Sequence, residues 1–164
     1  MASRQRKGAT TQLSARATVN VMSAEHPHAQ LIRDFHDLQN RFYAGGDQAP
    51  IGAMLSDDVT WHVPGHSALA GDYRGRDEVL RYFAHRRELA GPTFRIEVRG
   101  VLADDERVVI LAGGEVSHDG KTFTWRTVVV FRMAQGIIAE CWMFPYDQHT
   151  FDNIWCSAER RPDS

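Results

Sequence analysis

Apolar and polar positions alternate along this chain with two different periods. From His28 the apolar residues Leu31, Ile32, Phe35, Leu38, Phe42 and Tyr43 recur every three or four positions and stop at Gly45-Gly46, which predicts an amphipathic helix. A short helical turn in "APIGAM" leads to Ser56-Asp57-Asp58, and Val59 to Val63 reads as a brief strand closed by Pro64-Gly65. Gly75 to Leu89 predicts a second helix, with Val79, Leu80 and Phe83 on its buried side and Asp77-Glu78 at the favourable N-terminal end. Beyond Gly91-Pro92 the period drops to two. Phe94-Ile96-Val98, Val108 to Leu111, Phe123 to Phe131 and Ile137 to Tyr146 predict four longer strands, joined by turns at Asp104-Asp105, His118-Asp119-Gly120 and Ala134-Gln135-Gly136. Short turns between long strands make an antiparallel meander, so the expected class is α+β, a curved sheet around helices.

Composition narrows the function classes. The 164 residues are 43% hydrophobic and 24% charged, as in one globular domain. That domain is expected over residues 25–157. Residues 1–24 hold Arg4, Arg6, Lys7 and Arg16, no acid and no periodic pattern, so they are expected to be a disordered basic tail. "MSAEHPHAQLIRDF" from Met22 also reads as a natural beginning, which makes a tag or an overlong start the alternative. Residues 158–164 are expected to be a disordered C-terminal tail. A net charge of −2 provides no basic field for nucleic acid or anionic lipid. Cys141 and Cys156 form neither a metal-type pair nor a disulfide framework. No apolar run approaches the ~20 residues that span a bilayer, and the N-terminus lacks the apolar centre of a secretory signal, so the expected location is the cytoplasm. Without a nucleotide loop, metal cluster or Ser-His-Asp pattern, no cofactor or metal is expected.

Several local strings occur in a familiar order: "FYAGGD", "LSDDVTWHVPG", "LAGDYRGRDEVLRYF", "VVVFRMAQGIIAECW" and "PYDQHTFDNIW". Together they resemble the nuclear transport factor 2-like superfamily, and within it the SnoaL-like proteins, over roughly residues 28–157. The resemblance implies a cone-shaped fold with a strongly curved, mostly antiparallel sheet wrapped around N-terminal helices. It also implies a cavity for a small hydrophobic or aromatic molecule and a homodimer joined by sheet faces. One cone hosts isomerases, cyclases, epoxide hydrolases and non-catalytic binders, so the residues must choose among them.

The position of the ketosteroid-isomerase base falls on Val63 and that of its second acid near Val128, both inert. No Asp-Arg-Asp set of the limonene-epoxide-hydrolase kind is present on the central strands. The SnoaL-like cyclases use an aspartate at the end of the last strand, and Asp147 matches it, although the following "DQHTFDNIW" departs from the cyclase tail. A carboxyl at the rim of an apolar cone has its charged form disfavoured, which raises its pKa and suits proton transfer. The alternative is a capping acid for the turn from Gln148 to Trp155.

His66, in the turn-rich "WHVPGHSALAGDYRG", is either an assisting catalytic histidine over the cavity mouth or a solvent-exposed one. The glycines of that stretch are expected to fold it back over the entrance, with Tyr73 as a wall. Alternation turns Trp61 and Val63 into the cone and His62 outward. Trp125, Phe144 and Tyr146, with Trp61, Val63 and Tyr73, are the expected ligand-lining residues. Two functions remain open. One is cofactor-free acid/base catalysis of a cyclase or isomerase type through Asp147 and His66; the other is a non-catalytic ligand-binding or dimerisation module.

Overall fold

The first helix, α1 (Pro27–Tyr43), starts where Pro27 occupies the first turn and the His26 ring accepts the His28 N–H at 3.2 Å. Its buried stripe holds Ile32, Phe35, Phe42 and Tyr43, and also His36 and Gln39. After it come α2 (Ala49–Gly52), β1 (Leu55–Val63), β2 (Gly71–Arg74), α3 (Arg76–Ala90), β3 (Arg95–Ala103), β4 (Arg107–His118), β5 (Lys121–Ala134), β6 (Ile137–Pro145) and α4 (Gln148–Glu159). This computed structural model describes residues 25–118 and 120–159; the N-terminal tail and residues 160–164 lie outside them.

The six strands form one curved, unclosed sheet in the order β2-β1-β6-β5-β4-β3. Neighbours are antiparallel except β1 and β6, which run parallel because α3 and the β3–β5 meander intervene before the chain returns beside β1. The β5–β6 turn is tight: Gln135 and Gly136 have φ of 53° and 77°, the pair of positive values that matches strand twist in a two-residue hairpin.

Register separates two faces. Ile110, Val129 and Met143 lie side by side, as do Val108, Phe131 and Cys141, and these rows face α1 and α3. Rings meet there: Trp61 lies 5.1 Å from Phe83, 5.9 Å from Phe131 and 6.0 Å from Phe35, within the range of favourable aromatic pairs. The opposite rows, Leu111–Val128–Phe144 and Val109–Val130–Trp142, face outward.

Three elements differ from the sequence expectation. Residues 71–74 form an edge strand, not loop; they are short, polar and paired to one neighbour only, so no alternation marks them. β1 begins at Leu55, four residues before the apolar run: Leu55 is itself buried, and the exposed Asp57 and Asp58 between it and Val59 hide the alternation. The closing turn is a full helix running to Glu159, beyond the expected domain end at 157. Among the described residues no helix is long and apolar enough to cross a membrane.

Candidate functional site

Two helices bring three polar side chains to one place inside the cone. His36 and Gln39, three apart on α1, share its buried face, and Arg86 lies on the buried face of α3 with Val79, Tyr82, Phe83 and Ala90. Their exposures are 6%, 2% and 3%, values ordinarily seen for apolar side chains. They border a hollow completed by Trp61, Trp125 and Phe131 among others, with a volume of about 20 Å³. That is room for a single water molecule.

The His36 ring is oriented by its own helix. Nδ1 lies 2.8 Å from the Ile32 carbonyl, which only accepts, so Nδ1 carries the hydrogen and Nε2 is the free lone pair. Burial first, and the Arg86 charge after it, lower its pKa to about 4, which keeps the ring neutral at physiological pH.

Arg86 sits in a box of rings. Its guanidinium carbon is 4.6 Å from the Phe94 ring centre, 5.3 Å from Trp155, 5.7 Å from Trp125 and 5.8 Å from Tyr43. Such cation–π contacts contribute about 0.5–2 kcal/mol each, which offsets only part of the cost of burying the charge. No carboxylate pairs with Arg86 among the described residues. Its Nε and Nη2 are buried without a hydrogen-bond partner, as are the Trp61 and Trp125 indole nitrogens. The Tyr43 and Tyr82 hydroxyls lie beside the guanidinium in loose hydrogen-bonding reach and help to hold its charge, although neither meets full hydrogen-bond geometry at Nε or Nη2.

A second, open basin of about 950 Å³ lies between β3–β5 and the start of α4, edged by Arg95, Glu97, Arg126, Tyr146 and Asp147. Trp125 belongs to the walls of both the basin and the hollow. Gly114 stands opposite Trp125 across the β4–β5 ladder, and a Cβ there would come within 3.0 Å of the indole. A Cβ there would meet the Arg95 carbonyl oxygen first, so the backbone crossing as well as the indole requires glycine.

Of the residues that the sequence singled out, Trp61 and Trp125 line the hollow, and Val63 is buried in the core beside it. Tyr73 is half-buried and donates from its hydroxyl to the Leu69 carbonyl at 2.9 Å, so it ties down the loop and does not border the hollow. His66 is exposed, and the loop is anchored through its backbone N–H, 3.1 Å from Asp152 Oδ1.

Asp147 caps α4: its carboxylate accepts the Thr150 N–H at 3.0 Å and the Thr150 hydroxyl at 2.9 Å. Those bonds hold its pKa below the usual range, the reverse of the rise expected at a dry rim, because the side chain stands in solvent. Phe144, expected inside, is 54% exposed on the outer side, and Tyr146, also expected inside, is 55% exposed at the edge of the open basin. Cys141 and Met143 take the inward parity of β6, and their ring-bearing neighbours therefore point away.

His62 faces outward as alternation predicts. It bonds Asp72 at 2.7 Å and Glu140 at 3.1 Å while stacked on Trp142. Partial burial works against its charge, but the two carboxylates outweigh that and raise its pKa. Burial pushes the Cys141 thiol well up, which leaves it unreactive. No group of three or more metal-ligating side chains is gathered among the described residues.

Sequence reasoning missed His36, Gln39 and Arg86. The signal was available: each is a polar residue in register with an apolar stripe, where the pattern requires an apolar one.

Comparison with known proteins places this geometry in context. The SnoaL-like domain model matches residues 32–141. An uncharacterised protein of Mycobacterium tuberculosis is 29% identical over 123 residues, covering 73% of this chain and 94% of its own. Among solved structures, Bal32a from a soil-derived mobile gene cassette superposes with a TM-score of 0.68 at 24% identity, covering 77% of this chain and 98% of its own. A nuclear transport factor 2-like protein from Anabaena variabilis gives 0.66 at 18% identity, covering 77% and 96%.

Proposed function

Because the chain belongs to the SnoaL-like domain family, we propose that it binds one small aromatic molecule inside its cone, reached from the basin past Trp125. The observation that carries this reading is the trio His36, Gln39 and Arg86 buried among rings, with two donors of Arg86 left unpaired. A scaffold gains nothing from such groups, and each unpaired donor costs roughly 1–3 kcal/mol. The hollow of about 20 Å³ is smaller than a ring, so binding requires a wall to move, and Trp125 is the wall shared with the basin.

Titration with 2-naphthol, followed by tryptophan fluorescence, tests this. Saturable quenching with one molecule per chain is expected, and Ala112→Val, which adds two methyl groups to the lining, should abolish it. A linear response in the wild type, with nothing retained in native mass spectra, would leave the cone a scaffold.

His36 favours a second reading, cofactor-free proton transfer. Its tautomer is fixed by Ile32 and its remaining lone pair is an acceptor beside a cation. His36, in place of Asp147 and His66, is then the acid/base group. Solvent deuterium exchange into an acidic C–H of a bound ligand, lost in His36→Gln while binding persists, is the expected result.

The outer sheet face supports a homodimer as the working form. Leu102, Leu111 and Phe144 are large apolar side chains left 44–73% exposed there.

A further inference from the structure

We propose that the ligand of this cone is an aromatic acid whose carboxylate is received by Arg86; the inference rests on the reading of the cone as a binding site. Nε and Nη2 lie on one edge of the guanidinium and form the parallel pair of N–H donors that matches the two oxygens of a carboxylate. Both are buried without an acceptor at full hydrogen-bond geometry, and the tyrosine hydroxyls beside them are neutral. What the cation lacks among the described residues is a carboxylate.

The surroundings agree. The indole nitrogens of Trp61 and Trp125 add two more unpartnered donors on the lining. The acceptors nearby are neutral: the Ile32 carbonyl serves His36, and the Thr127, Tyr43 and Tyr82 hydroxyls offer lone pairs but no negative charge. Among the described residues no carboxylate supplies the missing charge. Trp61, Trp125 and Phe131 on the lining give apolar ring surfaces for the ring of the acid. A neutral ligand would leave Arg86 as uncompensated as it is without one, whereas a carboxylate would satisfy both donors in a single step.

The full chain is titrated with benzoate and with its neutral isostere benzamide, by tryptophan fluorescence and by thermal shift. Benzoate is expected to bind at least tenfold more tightly. Arg86→Met should lower benzoate affinity at least tenfold while leaving benzamide within about twofold. Without ligand, this variant should melt no lower than the wild type, since an uncompensated charge has been removed. Should it fail to fold, the wild-type preference for benzoate decides alone. Equal affinities for benzoate and benzamide, or an unchanged benzoate affinity in Arg86→Met, would overturn the anion subsite and leave the cone a binder of neutral rings. Binding of neither compound, with 2-naphthol also unbound, removes both readings together.

Discussion

His36 shows how one buried side chain sets a pH dependence. In the unfolded chain it titrates near 6.5, but in the fold only near 4, so between those values the unfolded state takes up a proton that the native state refuses. The stabilising contribution is therefore whole above about pH 6.5 and is lost as pH falls toward 4. At 1.36 kcal/mol per pH unit, the loss between pH 7 and pH 5 is on the order of 2 kcal/mol. Urea unfolding of the wild type and of His36→Gln at both values measures it. The wild type should lose more stability than the variant, and equal losses would show that the ring is not held neutral. Such residues are readable from sequence only as interruptions of an apolar stripe, because the stripe fixes where a side chain points and not what partner waits there.

The segment from Trp61 to Gly75 and helix α4 act as one unit. The loop is fastened to the helix by the Gln148 amide donating to the Pro64 carbonyl at 3.3 Å and by the His66 N–H bond to Asp152. Gly65 makes the approach possible: its φ is 105°, and a Cβ would strike the Asp152 carboxylate and the Gln148 amide. Gly65→Ala should cost about 2 kcal/mol or more, part of it recovered by adding Asp152→Ala, which removes one collision but not the backbone strain. Asp147→Ala should cost about 1 kcal/mol through the lost cap and leave ligand binding unchanged. Thermal melts of the three variants check both expectations. The glycines and the capping acid were legible as turn and helix-start signals. Their pairing was not, since residues 65 and 152 are joined only by the fold.

At the scale of the whole molecule, the outer sheet face presents Leu111, Val128 and Phe144 in one row and Val109, Val130 and Trp142 in the next. The Arg132–Glu140–His62–Asp72 chain of polar contacts borders them. An apolar centre with a charged rim suits self-association. Light scattering should give about twice 18.5 kDa for the wild type and the single-chain mass for Phe144→Asp. A wild-type monomer at micromolar concentration would refute the dimer.

The helices α1 and α3, the four long strands and the α+β class were determined by the sequence alone, because periodicity and turn residues act over a few neighbours. Membership of strand faces was half determined. Alternation orders the side chains of β6 into two sets, but only packing against α1 and α3 decides that Met143 turns in and Phe144 out. The site was decided by tertiary structure entirely: residues 36, 39 and 86 meet because two helices dock on one curved sheet, and burial then keeps His36 neutral and leaves two Arg86 donors unmet. Asp147 carries the converse lesson. Its position along the chain fits an acid at the rim of a cavity, while the first turn of α4 takes its oxygens and leaves it in water.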